Sequence, residues 1–253
     1  MRTVTIINQK GGSAKTTTAV NLSAALGESG KKVLLVDLDP QCSASVWLGS
    51  KNDQHRGLFD ALTGDGGLEE AIVPTDVTGV DLVPASSWLL GADRLLAREP
   101  GSEAILRNKL NKLKMRWDFI IFDLPPSLDL LSISALVASK EVCVPVEPSP
   151  IALAGLVQLL RTIQQVKERL NPQLDISGIL LCRADSRTNL AKEVEESLRN
   201  KFGEKVFKTI IPESVRFRES WGHTKPILTY APSSAGAEAY RSVGKEFLER
   251  GLL

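Results

Sequence analysis

Two short stretches constrain the fold of this 253-residue chain more than any other feature. Val33-Leu34-Leu35-Val36 and Phe119-Ile120-Ile121-Phe122 are apolar at every position, and each is closed by an acid, Asp37 or Asp123. A strand with one wet face alternates apolar and polar side chains, so a strand that is apolar throughout needs cover on both faces. That requirement points to a mainly parallel sheet flanked by helices, a doubly wound α/β fold. The rest of the chain has the same rhythm. Strand-like runs at Thr3–Asn8, Lys32–Asp39, Val80–Pro84, Trp117–Leu124, Glu141–Val146, Ile176–Cys182 and Val206–Ile211 alternate with helical patterns. Those patterns cover Thr16–Ser29, Ser102–Leu113, Asp129–Ser139, Ile151–Leu170, Asn189–Lys201 and Ala235–Arg250. Only Gly49–Gly79 reads as a long irregular stretch, and the length suits one domain over residues 1–253.

In such a sheet ligands gather beyond the carboxyl ends of the strands, so the loops beginning at Gln9, Asp39, Leu124 and Arg183 are expected on one face. The first loop, Gln9-Lys10-Gly11-Gly12-Ser13-Ala14-Lys15-Thr16-Thr17-Thr18, joins an apolar strand to an amphipathic helix. Glycines there let backbone N–H groups turn toward one anion, and the helix N-terminus adds its positive partial charge. Gly11, Gly12, Ser13, Ala14, Lys15, Thr16 and Thr17 are therefore predicted nucleotide contacts. Lys15 neutralises the β- and γ-phosphates, and the Thr16 hydroxyl ligates Mg²⁺. The loop departs from the pattern G-x-x-x-x-G-K-[ST] at both outer glycines, where Gln9 and Ala14 stand. If the backbone needs positive φ at position 14, the alanine methyl costs about 1 kcal/mol.

Asp37 and Asp39 lie two residues apart, on the same side of an extended chain, and both can face the phosphate site. Asp123 is placed to hold Mg²⁺ through water with Asp37 as a second carboxylate at the metal, while Asp39 orients or activates the attacking water. Any one of these acids could instead cap the helix that follows it. Their conjunction with the glycine loop makes the nucleotide reading specific.

The segments Lys10–Thr18, Val36–Gln41, Asp123–Ser127, Asp185–Leu190 and Ile211–Ile227 together resemble the ParA/Soj branch of the deviant Walker ATPases, with similarity from about Val4 to Phe247. The resemblance implies a P-loop NTPase with ATP and Mg²⁺ as cofactors and slow, partner-stimulated hydrolysis. It implies an ATP-dependent homodimer in which Lys10 reaches the partner's nucleotide, and it places Pro212 at the nucleotide. A cation supplied in trans ties dimerisation to γ-phosphate occupancy. The resemblance further implies nonspecific binding of double-stranded DNA through Arg187 and Arg216, a ParB-like or other adaptor protein, and a role in partitioning DNA. Arg218, Lys205 and Lys208 lie nearby in sequence, but the excess of basic residues from Arg183 to Lys225 is modest. Glu213 stands where many relatives carry a basic residue, which subtracts positive potential near Arg216.

Composition sets limits on these expectations. A net charge of +1 means that any affinity for nucleic acid must come from a local patch. The N-terminal residues carry no basic leader or long apolar segment, no apolar run approaches bilayer length, and Cys42, Cys143 and Cys182 are dispersed. A cytoplasmic, nucleoid-associated protein fits these features. Three other readings share the fold. A MinD-like protein would use a basic amphipathic tail for membrane, but the tail from Gly244 is short and acidic. An iron–sulfur reductase would need cysteines bridging a dimer. A metabolic enzyme would use ATP to activate a small substrate.

Overall fold

The computed structural model describes residues 1–50, 57–64, 66–114, 116–184 and 189–250. Its strands are β1 (Arg2–Ile6), β2 (Val33–Asp37), β3 (Val73–Pro74), β4 (Val80–Val83), β5 (Phe119–Asp123), β6 (Glu141–Val146), β7 (Asp175–Ala184) and β8 (Ile211–Pro212). Its helices are α1 (Lys15–Glu28), α2 (Ser43–Trp47), α3 (Gly57–Thr63), α4 (Leu89–Leu96), α5 (Ile105–Leu110), α6 (Leu130–Ala138), α7 (Pro150–Arg169), α8 (Asn189–Phe202), α9 (Val215–Gly222), α10 (Ile227–Tyr230) and α11 (Ala235–Glu249).

The strands form one sheet in the order β3-β4-β2-β5-β1-β6-β7-β8, parallel except where β3 meets β4. Every residue of β2 and β5 is buried, as their unbroken apolar sequences require. Successive residues go to opposite sides. Leu34, Val36, Ile120 and Phe122 join the core on one face, while Val33, Leu35, Phe119 and Ile121 join the core on the other. Fully burying each such side chain stabilises the fold by about 1.5 to 3 kcal/mol, which is why the two strands occupy the centre of the sheet.

Helix α1 covers one face closely because its inner residues are small, among them Ala19, Ser23, Ala24 and Ala25. Gly27 is required there, since a Cβ would collide with the backbone carbonyl of Thr78. The apolar side of α11 packs beside it, with Tyr240, Val243 and Phe247 fully buried. No helix among the described residues is long and apolar enough to cross a membrane.

Several elements differ from the sequence reading. The strand expected over Val206–Ile211 shrinks to the two residues of β8, plus an isolated bridge between Val206 and Ile179. The backbone N–H groups of Lys208 and Thr209 donate to the Glu246 carboxylate on α11 at 2.8 and 3.2 Å, so no sheet neighbour receives them. The helix expected over Ser102–Leu113 opens as a 3₁₀ turn, Ser102–Ala104, and becomes α-helical only over α5. The supposedly irregular stretch after Gly49 contains α3, β3 and a further 3₁₀ turn, Leu68–Ala71. Helices α2, α4, α9 and α10 are additional.

Candidate nucleotide-binding site

Strand register brings the acids together. Asp37 at the end of β2 pairs directly with Asp123 at the end of β5, and Asp123 also pairs with Ile6 at the end of β1. The glycine loop leaves β1 two residues beyond Ile6, so it emerges beside both carboxylates.

In that loop Gly12 has φ 73° and Ala14 has φ 68°, both left-handed. Left-handed residues on either side of Ser13 curl the backbone into a concavity of the kind that holds anions. The alanine therefore sits in the conformation that its methyl group resists. Ala14 is also the N-cap of α1, and no side chain caps the helix. The first-turn N–H groups of Lys15, Thr16 and Thr17 have no acceptor within the helix and leave its positive end open to an anion.

Lys15 is buried and donates to the Lys10 carbonyl oxygen at 3.3 Å. Burial lowers the pKa of its ammonium, and the charges of Asp123 and Asp39 oppose that fall. Asp123 is fully buried and its carboxylate makes no short hydrogen bond to the described residues, although the Thr16 hydroxyl and the Lys15 charge lie near enough to hold its pKa down in part. Burial, then the charge of Asp37, pushes its pKa well above the usual carboxylate range. An ionised carboxylate in this position is costly unless a cation joins it. A Mg²⁺ ion suits the donor set of Thr16 hydroxyl, one or two carboxylates and phosphate oxygens, because it keeps several waters and needs no all-protein cage.

Asp37 is already engaged. One of its oxygens accepts from the Ser45 N–H at 2.8 Å and the Ser45 hydroxyl at 2.7 Å, and the other accepts from the Asp39 N–H at 3.1 Å. Ser45 Oγ in turn accepts from the Ala85 N–H at 2.9 Å. Asp37 thus ties the loop after β2 to α2 and to the end of β4, and burial raises its pKa to about 6. Asp39, two residues on, accepts from the Gln41 N–H at 2.9 Å and lines the open cavity.

That cavity has a volume of about 870 Å³. Residues 11–17 form one wall, with Asp39 and Pro126 from the neighbouring loops and Arg183, Ile211 and Glu213 from the far side of the sheet. Trp47, Phe217 and Trp221 add an apolar end. The loops expected from Gln9, Asp39 and Leu124 converge there with Arg183, while residues 185–188 of the last loop lie outside the described residues. Pro212 pairs with Ala184 in the sheet, while its neighbours Ile211 and Glu213 supply the lining.

Lys10 points elsewhere. Its ammonium lies 2.6 Å from the Glu147 carboxylate at the end of β6, and its N–H donates to Asn8 Oδ1 at 3.0 Å. Arg216 is exposed on α9 and pairs with Glu219 at 2.9 Å, one turn along the same helix. Arg187 lies outside the described residues. Sequence reasoning missed the participation of Ser45, Glu147 and Arg183. Ser45 and Glu147 carry no motif signal, because strand pairing and the loop after β2 bring them in. The only hint for Arg183 was its place at the end of a strand.

A parallel sheet with a glycine loop at the carboxyl end of β1, a lysine and threonine opening α1, and an acid closing β5 defines a P-loop NTPase. Residues 1–176 match the family model described as an AAA domain. The sporulation initiation inhibitor protein Soj of Bacillus subtilis is 45% identical over 249 residues, 98% of each chain. The chromosome partitioning protein ParA of Myxococcus xanthus is 43% identical over 250 residues, 98% of this chain and 88% of the relative. This chain belongs to the ParA/Soj family. Among solved structures, cobyrinic acid a,c-diamide synthase from Mycobacterium smegmatis, with bound ATP analogue and magnesium, aligns with a TM-score of 0.86 at 36% identity, covering 98% of this chain and 95% of that one.

Proposed function

We propose that this chain is one ATPase domain acting as a dimerising switch that partitions DNA, turning over ATP slowly alone and faster with a ParB-like adaptor. The observation that carries the reading is the buried Asp123 carboxylate, with no short hydrogen bond from the described residues, beside a loop curled to hold an anion. Residues 11–17 hold the triphosphate, with Ile211 and Glu213 at the far wall and Pro212 between them in the sheet. Lys15 donates to the β- and γ-phosphate oxygens. Thr16 and Asp123 hold Mg²⁺, and Asp37 acts at the metal through the loop it organises. Bound Mg²⁺ supplies charge neutralisation at the reacting phosphate. Asp39 orients the attacking water and accepts its proton.

Lys10 acts in the partner's site. It must first leave Glu147, and because both side chains are part-exposed the pair holds it by about 1 kcal/mol or less. Dimer contacts compete with a hold of that size. Arg216 shares α9 with Phe217, Arg218 and Trp221, which line the cavity, so nucleotide state and the basic surface meet on one helix. Two protomers present Arg187 and Arg216 twice. Joining two weak patches raises avidity by about 10² to 10⁴. The protein then works in the cytoplasm on nucleoid DNA.

A salt titration of DNA binding with ATP, with ADP and without nucleotide tests this. Binding should require ATP, and Arg216→Ala should weaken it equally on any sequence, flatten the salt slope and spare dimerisation. Equal affinity in all three states, or none in any, removes DNA from the function.

The structural likeness to cobyrinic acid a,c-diamide synthase favours a second reading, an enzyme that activates a carboxylate with ATP. ATP hydrolysis stimulated by a small carboxylic acid, and not by DNA with an adaptor, would establish it. The membrane reading finds less support, since the apolar side of α11 is buried against the domain.

A further inference from the structure

Arg183 is exposed, yet its backbone is strained. It has φ 56°, in the left-handed region, where a non-glycine residue is disfavoured by about 1 to 2 kcal/mol. It is also the extra residue of a bulge: Cys182 pairs with Ile211 and Ala184 with Pro212, leaving Arg183 between them unpaired. Bulges re-aim side chains and gather beside functional sites. Here the bulge sends the guanidinium across the cavity. Nη1 donates to the Gly12 carbonyl oxygen at 3.2 Å and Nη2 lies 3.3 Å from Glu213 Oε1.

We infer that Arg183, anchored by Glu213, is a positioning residue of the nucleotide site that sets the Gly12–Ser13 peptide for phosphate binding. The inference rests on the nucleotide reading of the cavity. No peptide among the described residues is cis, and in a trans peptide the carbonyl and the following N–H point in opposite directions. Fixing the direction of the Gly12 oxygen therefore also fixes the opposite direction of the Ser13 N–H, within a loop whose left-handed residues already curl toward one anion. Gly12 is flexible by composition, so the orientation needs an outside restraint. The clamp also gives Glu213 a role. Its carboxylate lies 3.3 Å from the Arg183 guanidinium, while the acid paired with Arg216 is Glu219.

The experiment measures ATP affinity by calorimetry and thermal unfolding without nucleotide, for wild type, Arg183→Gly, Arg183→Lys, Glu213→Ala and Lys15→Ala. Glycine relieves the positive φ while removing the guanidinium, so Arg183→Gly should melt at or above the wild-type temperature and bind ATP about five- to tenfold more weakly. Arg183→Lys, which cannot bridge both partners, should fall between, and Glu213→Ala should lose about two- to threefold. A merely structural arginine would move stability and affinity together. Wild-type affinity in Arg183→Gly, with binding by Lys15→Ala strongly weakened, overturns the clamp alone. Absence of ATP binding by the wild type, or its retention in Lys15→Ala, overturns the site reading and the clamp with it.

Discussion

Replacing Ala14 by glycine isolates the strain stored in the phosphate loop. Ala14 holds φ 68° and ψ 28°, and an L-residue there is disfavoured by about 1 to 2 kcal/mol. Glycine removes that cost. It adds roughly 0.5 to 1 kcal/mol of backbone entropy lost on folding, and it forfeits a methyl group only partly buried against the core, worth about 0.5 kcal/mol. The net effect lies between about −0.5 and +1 kcal/mol, close to neutral and tilted toward stabilisation. Ala24→Gly, in the middle of α1 at 4% exposure, is the matched control. It should lose about 1 kcal/mol of helix propensity and about 0.8 kcal/mol of buried methyl. The two variants should therefore differ by roughly 2 kcal/mol, or about 4 to 8 °C in melting temperature for a chain of this size. Thermal and urea unfolding without nucleotide measure it. A loss in Ala14→Gly as large as in Ala24→Gly would refute the argument that position 14 is strained.

Lys15→Ala should weaken ATP binding by about two orders of magnitude in calorimetry, since it removes a buried cation from the phosphates; near-native affinity would dismiss the role. Asp39→Ala should keep ATP affinity and slow single-turnover hydrolysis by roughly 10² or more, with the ATP form accumulating as dimer, and an unchanged rate would move the water elsewhere. A pH series on metal-free protein tests the buried acids. Asp37 and Asp123 bind protons more tightly folded than unfolded, so stability should fall as pH rises from about 5 through 7.5. Asp175 and Glu246 have lowered pKa values and act oppositely, but their stabilisation is already fully present by about pH 5 and is lost only toward lower pH. Asp123→Asn should flatten the slope and raise the melting temperature at pH 7.5; a slope unchanged in this variant would show that other groups govern it.

The fold class was legible because β2 and β5 are apolar at every residue before the closing aspartate, and no other common arrangement buries both faces of two such strands. The glycine loop, Lys15, Thr16 and the acids at strand ends were legible for a related reason. Each is fixed by its neighbours in sequence: a turn, a helix start, the last residue of a strand. Positive φ at Ala14 was raised by the sequence only as a condition, and the structure shows it. The short helices α2, α4, α9 and α10 were not legible, because at eight residues or fewer local propensity is weak and contacts with the sheet decide. The strand at Val206–Ile211 failed for a tertiary reason, the capture of two backbone N–H groups by Glu246 on a distant helix.

Partner assignments were decided by the tertiary structure alone. Sequence placed Asp37, Asp39 and Asp123 alike at strand ends. The fold separated them, giving Asp37 to Ser45, leaving both oxygens of Asp123 without a short hydrogen bond among the described residues and placing Asp39 at the cavity. Lys10 meets Glu147 across β1 and β6, and Arg183 meets Gly12 and Glu213 because a bulge turns it. Local sequence specifies which conformations a residue favours. Which charge lies across from it depends on strand order and register, and these are set by the summed burial of the whole sheet.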